Sequence, residues 1–454
     1  LSTVAARDVA ARDANGPPVP VPTMIDRRLV VLGPTVILTI ALVVVAVGGS
    51  NVDAPTAFVG ATSTAPGGID DRPLATDPAV VPSEPAALDT TSTPTSASTS
   101  PSTTSTTSTT SLPLAPADGK SSDERRLVDA FTISDDDLQP KSVVASGDGL
   151  FFAQNMMYRH NIAVFDRAGV EVGVIPDEVD LSAFGFDGGV VRGSPVEAAF
   201  TPDGEFVYVS NYKMFGPGWN PVADDGCDRG DWDDSFVYKI DVATLSIVAV
   251  IPTGAVPKFL AVSPDGARLV VSNWCGFDVS VIDTETDTEL GRVDVGRHPR
   301  GIAIRSDSRY AYVTVMGEAR IDVIDLESLN VVNAIRDAAG STPRHLILSA
   351  DDRFLFVSNH RMNSVRKIDL STGEVVGVAS TGTETRTMAI ADDGASLYVV
   401  NYQDGTVSKV RTSDMAILQT VSSGVRPVGI AYDADTRQVW VANYAGTLRV
   451  FRDE

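Results

Sequence analysis

The chain repeats a unit of about 42 residues, and this repeat constrains the fold more than any other feature of the sequence. In the clearest copy, residues 257–297, four runs alternate apolar and polar residues, namely FLAV, RLVVSN, DVSVID and ELGRVDV. The turn clusters SPDG, WCGF and TETD separate them, which is typical of a four-stranded antiparallel meander. A single sheet of this size cannot bury both faces, so the units must pack against one another.

Seven units follow one another along the chain. Their first residues, here called openers, are Pro140, Pro195, Pro257, Pro299, Pro343, Thr385 and Pro427. An Asp stands eight residues after each opener, at Asp148, Asp203, Asp265, Asp307, Asp351, Asp393 and Asp435. Because an Asp carboxylate accepts backbone N–H groups in tight turns, we interpret these residues as structural. The second run ends in Asn in six units, at Asn155, Asn211, Asn273, Asn359, Asn401 and Asn443.

The seventh unit, residues 426–454, supplies only three strands. A fourth strand of the right pattern, RLVDAFTI, lies before the first opener at residues 126–133. Pairing it with the last unit would close a ring and remove an exposed sheet edge. The sequence therefore predicts an all-β fold over residues 121–454: a seven-bladed β-propeller of four-stranded blades, closed by an N-terminal strand.

The units resemble the YVTN family of β-propeller repeats. The resemblance is carried by PVEAAFTPDGEFVYVSN, PKFLAVSPDGARLVVSN and DVSVID, and it covers nearly all of residues 126–454. It implies an extracytoplasmic propeller, since relatives include surface and periplasmic binding proteins. Similar seven-bladed rings carry lactonase, lyase and quinone-dependent dehydrogenase activities, so the resemblance implies a fold more specifically than a function.

The N-terminal region has the pattern of a membrane anchor. Residues 29–47 are 19 consecutive residues without a charge, long enough to cross a bilayer as one helix. Arg7, Arg12, Arg27 and Arg28 precede this segment and no Lys or Arg follows until Arg72, which predicts that residues 1–28 are cytoplasmic. A cleaved signal peptide is the alternative. We expect a single-pass protein of the cell membrane with its propeller outside the cytoplasm.

Residues 48–120 have the composition of a disordered linker. Every residue from 90 to 111 is Ser, Thr, Pro or Ala, and such a segment cannot bury apolar surface. The propeller region beyond it carries 30 Lys and Arg against 49 Asp and Glu, a net charge of −19. This balance disfavours nucleic acid as a partner, because phosphate neutralisation needs a basic surface. We expect a monomeric propeller that binds an unidentified ligand or envelope component.

Candidate site residues concentrate on one face of the predicted ring, where strand one of each blade begins and strand two ends; we call it the upper face. Two long connections, residues 176–194 and 212–234, fall on this face, and long connections on a rigid scaffold often bind ligands. One residue past the openers stand the cations Lys141, Lys258, Arg300, Arg344 and Arg386. Near the ends of strand two stand Tyr212, Trp274, His360, Tyr402 and Tyr444, with His345 two residues past its opener.

A ring of cations within an acidic body would concentrate a small anion. The alternative is that each cation satisfies carbonyl or Asp groups of a neighbouring blade. His345 and His360 are also the only pair that the sequence offers for metal or acid-base chemistry. It contains no Gly-rich phosphate loop, nucleophile elbow, CxxCH or HExxH motif, so we predict no cofactor and no catalytic residue.

Cys227 and Cys275 are the only cysteines, and both lie in connections on the upper face of adjacent blades. In an oxidising compartment we expect them to form a disulfide, with two buried free thiols as the alternative. The acidic loop around Cys227 offers Asp224, Asp228 and Asp231 as weak calcium candidates. Their spacing does not match a twelve-residue calcium loop, which favours a solvated acidic loop and no metal.

These observations favour a non-enzymatic binding or interaction module for a small anionic ligand, a wall polymer or a protein. The alternative is a propeller enzyme of the lactonase, lyase or quinone-dependent oxidoreductase type with its site in the central funnel. A purely structural envelope protein is a third hypothesis.

Overall fold

The computed structural model describes residues 114–115, 118–219 and 226–454. They form seven four-stranded antiparallel sheets and one two-stranded ribbon, so the predicted all-β seven-bladed propeller is confirmed. Within these residues, no helix combines the length and the apolar character needed to span a bilayer. The predicted cytoplasmic segment 1–28, the predicted span 29–47 and nearly all of the predicted linker 48–120 lie outside the described residues.

The strands follow the order of the repeats. The N-terminal strand, blade one, the ribbon and blade two comprise β1 (Leu127–Ser134), β2 (Ser142–Ala145), β3 (Leu150–Asn155), β4 (Asn161–Asp166), β5 (Glu171–Pro176), β6 (Glu178–Asp180), β7 (Val190–Arg192), β8 (Pro195–Phe200), β9 (Phe206–Asn211), β10 (Asp234–Asp241) and β11 (Ser246–Ala255). Blades three and four comprise β12 (Pro257–Val262), β13 (Arg268–Asn273), β14 (Asp278–Asp283), β15 (Thr288–Asp294), β16 (Pro299–Ile304), β17 (Tyr310–Val315), β18 (Arg320–Asp325) and β19 (Asn330–Ile335).

The second half of the ring continues the same pattern. Blades five to seven comprise β20 (Pro343–Leu348), β21 (Phe354–Asn359), β22 (Ser364–Asp369), β23 (Glu374–Ser380), β24 (Thr385–Ile390), β25 (Ser396–Asn401), β26 (Thr406–Arg411), β27 (Ile417–Ser422), β28 (Pro427–Asp433), β29 (Gln438–Asn443) and β30 (Thr447–Asp453). Short 3₁₀ turns within the described residues lie at Ser122–Glu124, Leu181–Phe184, Met316–Glu318 and Asp337–Ala339.

The core lies between the blades rather than inside any one of them. The second strand of a blade is buried along almost its whole length, because both faces of the sheet meet a neighbouring blade. Val270 and Val281 of blade three, for example, pack in one cluster with Val313 and Ile324 of blade four. Each buried Val or Ile contributes about 1.5–3 kcal/mol, so the ring is held together by its neighbour contacts.

The recurring Asp residues have the structural role that the sequence predicts in five blades. The carboxylates of Asp203, Asp265, Asp307, Asp351 and Asp393 each accept the backbone N–H two residues further on, at 2.9–3.2 Å. In blade one the Ser146 hydroxyl accepts the N–H of Asp148 instead. These turns fix the register between strands one and two, and thereby the residues that begin each strand at the upper face.

The ring is closed as predicted, because β1 pairs antiparallel with β30 in blade seven. A buried ion pair between Lys409 of blade six and Asp453 of β30 supports the closure. The Lys409 ammonium also donates to the carbonyls of Ser122 and Arg125, at 2.5 and 2.9 Å, and the Tyr398 hydroxyl donates to Asp453 at 2.6 Å. The start of the propeller is therefore anchored to blades six and seven.

The two long connections lie together on the upper face. The first forms the ribbon of β6 and β7, and Arg192 at its end pairs through its backbone with Phe215 of the second connection. The predicted disulfide is confirmed, with the Cα atoms of Cys227 and Cys275 5.7 Å apart. It ties the second connection to blade three.

Candidate functional site

The predicted cations and aromatic residues meet on the upper face. Four of the five cations lie over an aromatic ring of their own blade or of the preceding one. Lys141 Nζ is 5.6 Å from the ring centroid of Tyr444, and Arg386 Cζ is 3.5 Å from the ring centroid of Tyr402. Two cations share Trp274: Lys258 Nζ is 5.0 Å and Arg300 Cζ is 5.9 Å from its ring centroid, and Lys258 Nζ is also 4.6 Å from the ring centroid of Tyr212. Such contacts hold a cation by the ring quadrupole. The upper face is thus a layer in which cations and rings alternate between blades.

Most of this layer is inside the protein rather than on its surface. Lys258, Arg344 and Arg386 are each 3% exposed, and Trp274 is fully buried. A stacked guanidinium keeps a fixed orientation, and its edge directs N–H donors to one side. The cations are therefore organised groups around the ring axis and not flexible surface charges.

His360 lies in a separate part of the same layer. Its Nε2 is 4.0 Å from a carboxylate oxygen of Glu384, and Arg386 Nη2 is 3.6 Å from the same oxygen. His345 instead faces the ring axis, where its imidazole meets the edge of Phe259 at a centroid distance of 5.2 Å. The two histidines thus have different surroundings.

A channel with a volume of about 300 Å³ runs along the ring axis. Its walls come from the first strands of the blades, whose residues two places past the opener include Glu197, Phe259, His345, Thr387 and Gly429. Further from the upper face the lining is mostly apolar, with Val144, Ala145, Ala389, Ile390 and Ala431. The lining therefore combines a few polar groups with a mostly apolar wall, and the charges of Lys141, Arg300 and Arg344 act on its two titratable residues from outside the lining.

Glu197 and His345 titrate abnormally in this channel. Burial raises the pKa of Glu197 to about 7, against the opposing effects of the Ser142 hydroxyl and the charges of Arg300 and Lys141. Burial lowers the pKa of His345 to about 3, and the positive charges of Arg300 and Arg344 lower it further. At neutral pH the imidazole of His345 is therefore neutral, and the carboxyl group of Glu197 is close to the midpoint of its titration.

His345 also has an atom available for a ligand. Its Nδ1 is buried and has no hydrogen-bond partner among the described residues. Buried polar atoms are nearly always hydrogen-bonded in native proteins. An imidazole nitrogen without a protein partner at a channel wall is a group that a bound molecule would satisfy.

The sequence analysis missed Glu197, the residue of this site with a pKa near neutral. It stands in PVEAAF, two residues past the opener of unit two, at the position that His345 occupies in unit five. Aligning that position in all seven units places Ser142, Glu197, Phe259, Gly301, His345, Thr387 and Gly429 in one layer. That alignment was the signal that could have identified Glu197.

The acidic loop shows no metal centre in the part that the structure describes. Asp228 forms an ion pair with Arg297 at 2.9 Å, and its N–H donates to Asp231 at 3.1 Å. Asp224 lies outside the described residues. Within the described ranges, no group of three or more His, Cys, Asp or Glu side chains is arranged to hold a metal ion.

Two curated proteins are similar to part of this chain. The seven-bladed beta-propeller protein Rv1057 of Mycobacterium tuberculosis is 34% identical over 163 residues, which are 34% of this chain and 41% of that protein. Antigen Lp49 of Leptospira interrogans is 24% identical over 147 residues, which are 31% of this chain and 32% of that protein. The chain thus matches less than half the length of either relative. No family model matches the sequence.

Among solved structures, the hydrazine synthase of Kuenenia stuttgartiensis has a similar fold. The TM-score is 0.55 at 19% identity, and the match covers 72% of this chain and 98% of the other. At this identity the likeness concerns the fold alone. Together with the Mycobacterium relative and the seven sheets, it supports a seven-bladed β-propeller.

Proposed function

We propose that the protein is a binding module that takes a small anionic molecule into its central channel from the upper face. One observation carries this proposal: Glu197 and His345 line a channel, and the positive charges of Lys141, Arg300 and Arg344 act on these two residues. Cations at a low-dielectric opening concentrate anions. Ligand sites in proteins are usually concave, largely apolar and provided with few polar groups, as this channel is.

The dimensions and lining define the ligand class. A volume of about 300 Å³ is at the lower end of small-molecule sites, so the ligand is a small molecule and not a protein segment. A carboxylate would lie on the side of His345 where the charges of Arg300 and Arg344 act, with a short apolar body against Ala389 and Ala431. The Nδ1 of His345 would hydrogen-bond a polar atom between these two parts.

We further propose that the propeller works outside the cytoplasm, as a YVTN-type repeat protein anchored by residues 29–47. Two features support this placement. The positive residues precede the apolar segment, and the chain contains a disulfide, a bond that persists mainly in oxidising compartments. Accessibility of the propeller to protease added to intact cells would test it, and protection of the propeller would contradict it.

The binding proposal is tested with a panel of small carboxylates, using isothermal calorimetry on the purified chain. Replacing Arg300 or Arg344 by Ala removes a charge-assisted contact, so we expect each variant to bind about tenfold more weakly. Arg353→Ala is the matched control, because Arg353 is in the same blade as Arg344 and its side chain is 60% exposed. Unchanged affinity in both channel variants, with the fold intact, would contradict the proposal.

A second candidate function is an enzyme with its site in the same channel. The specific observation in its favour is the pKa of Glu197, about 7, because a group near its midpoint can both accept and donate a proton at neutral pH. A lactonase, lyase or oxidoreductase would require such a group. If the protein turns over a ligand, and Glu197→Gln abolishes turnover but retains affinity for that ligand, catalysis is established. If ligands bind and none is turned over, the enzyme hypothesis is contradicted and the binding module is supported.

A further inference from the structure

Two buried polar residues, Asp177 and Asn211, lie together at the root of both long connections, and the charge of Asp177 acts on a third, Tyr238. Asp177 directly follows β5 and begins the first connection; its N–H donates to the carbonyl of His160 at 3.2 Å, and its own carbonyl accepts the N–H of Gly193 at 2.9 Å. Asn211 is the last residue of β9, just before the second connection. Tyr238 lies on β10, just after it. The cluster therefore joins the two segments that most distinguish blade two.

The polar atoms of this cluster lack protein partners. Asp177, Asn211 and Tyr238 are each fully buried. Five of their side-chain atoms have no hydrogen-bond partner among the described residues: both carboxylate oxygens of Asp177, the amide oxygen and nitrogen of Asn211, and the hydroxyl oxygen of Tyr238. Leaving a carboxylate buried and uncompensated costs several kcal/mol, so a native protein supplies a compensating group.

One oxygen of Asp177 and one of Asn211 lie close together beside Gly193. A Cβ placed on Gly193 would lie 2.8 Å from Oδ1 of Asp177 and 2.2 Å from Oδ1 of Asn211, so the two oxygens are within 5.0 Å of each other. Any side chain at position 193 would occupy this space. Gly193 thereby allows both acceptor oxygens to pack closely against the backbone and next to each other.

No protein cation meets the Asp177 carboxylate within the described part of the chain. Burial raises the pKa of Asp177 and the positive charge of Arg192 opposes this rise, but among the described residues Arg192 forms no salt bridge with Asp177. Lys213 lies over the rings of Tyr212 and Phe215, at 5.5 and 5.7 Å. Burial lowers the pKa of His160, whose Nδ1 is 3.1 Å from the Ser194 hydroxyl, so its imidazole is neutral at neutral pH.

We propose that Asp177, Asn211 and Tyr238 bind one alkali-metal cation, sodium or potassium. Carboxylate, amide and phenol oxygens are hard ligands that suit such ions. A single carboxylate balances one positive charge, whereas a divalent ion would leave a net positive charge in a buried site close to Arg192. The bound ion would join the segment after β5, the end of β9 and the middle of β10, and so hold both connections against blade two.

The competing state is a protonated Asp177. Burial raises the pKa of this carboxyl well above its ordinary value, and a neutral acid could donate to Oδ1 of Asn211. The two states differ in their response to salt. A cation site depends on which cation is present, and a protonated acid depends on pH alone.

The test measures thermal unfolding of the full chain in sodium, potassium, calcium and choline chloride at equal ionic strength. Choline is too large for a site enclosed by three side chains. We expect sodium or potassium to raise the melting temperature by about 2–4 °C over choline at saturating concentration. Asp177→Asn should abolish this rise, while Asp187→Asn, an exposed Asp in the same connection, should retain it.

A second variant keeps the test decisive if Asp177→Asn does not fold. Tyr238→Phe preserves the ring and removes one ligand oxygen, so the cation concentration for half of the rise should increase about tenfold. Equal melting temperatures in sodium, potassium and choline would overturn the proposal, as would stability that depends on pH but not on the cation. Stabilisation by calcium alone would overturn the assignment of a monovalent ion.

Discussion

Blades two and six both end their second strand in Asn, but the hydrogen bonds of this Asn side chain differ between the two blades. In blade six the amide of Asn401 is fully bonded: Oδ1 accepts the N–H of Gly382 at 2.9 Å, and Nδ2 donates to Thr406 and Ser408 at 3.0 and 2.9 Å. In blade two neither amide atom of Asn211 has a partner among the described residues. In the regular blade the Asn bonds to hydroxyl groups of strand three, whereas in blade two Tyr238 pairs with Val209 and so takes the place that Ser408 has opposite Val399.

The same contrast recurs elsewhere in the two blades. Lys409 of blade six and Lys239 of blade two both form an ion pair with the next blade, but the first pair is fully buried and the second is partly exposed. The channel residue is Thr387 in blade six and Glu197 in blade two. Blade six is thus built for closure of the ring, and blade two collects the groups that a ligand or an ion would complete.

The largest difference is expected at the two lysines. Lys409→Met leaves the Asp453 carboxylate buried without its cation, and should lower the free energy of unfolding by about 4 kcal/mol. Lys239→Met removes a pair whose side chains are 12% and 25% exposed, and should cost about 1 kcal/mol or less. Urea unfolding of both variants measures this. Equal losses would show that blade six has no special part in closure.

The disulfide gives the next largest effect, and it is confined to blade two and its neighbour. Its cysteines are 48 residues apart, and cross-linking a loop of this length stabilises a protein by about 2–4 kcal/mol. The double variant Cys227→Ala, Cys275→Ala should lose that amount in urea unfolding. Adding reductant to the wild type should give a similar loss but leave the double variant unchanged, and a loss in both would point to another cause.

The two asparagines provide a smaller and more direct comparison. Asn401→Ala removes three hydrogen bonds from a fully buried position and should cost about 2–3 kcal/mol. Asn211→Ala, measured in choline chloride so that no alkali ion is present, removes none and should cost about 1 kcal/mol for the lost volume. A cost for Asn211→Ala as large as that for Asn401→Ala would mean that its amide has partners after all.

The smallest effect is a pH dependence that arises in blade two, at Glu197. With a pKa of about 7 in the folded protein and 4.5 as its ordinary value, Glu197 binds more protons folded than unfolded between these values. Stability therefore falls as pH rises from about 4.5 to 7, by roughly 1–2 kcal/mol once solvent in the channel is allowed for.

The variants Glu197→Gln and Glu205→Gln separate this effect from the rest of the molecule. Glu197→Gln should remove the fall, whereas Glu205→Gln, on an exposed turn of the same blade, should keep it. Melting temperatures measured across this pH range provide the test. A fall of the same size in Glu197→Gln would assign the pH dependence to other groups.

The fold could be predicted from the sequence because each blade is a local pattern. The alternation of residues such as those in RLVVSN and DVSVID specifies strands, and the missing strand of the seventh unit identified its partner at the N-terminus. The disulfide followed from the same map, because Cys227 and Cys275 fell in connections of adjacent blades on one face.

The candidate site could be predicted only in part. Its face and its cations followed from the repeat, but the stacking of Arg386 on Tyr402 depends on side-chain packing that sequence spacing does not contain. Asn211 and Asn401 hold the same position in the repeat, and the strand register is needed to see that Tyr238 stands where Ser408 bonds Asn401 in blade six. The repeat therefore predicts the features that the blades share, but it does not predict in which blade the Asn side chain lacks hydrogen-bond partners.

The closing strand also determines how the ring responds to mechanical force. In the ladder of β1 and β30, Leu127 faces Asp453 at one end and Ser134 faces Thr447 at the other. Leu127, where β1 begins, and Asp453, where β30 ends, are therefore neighbours. A force that pulls these two residues apart separates one residue pair at a time and does not shear all pairs together. Tension along the chain would therefore open the propeller at blade seven first, while the other six blades keep all four of their strands.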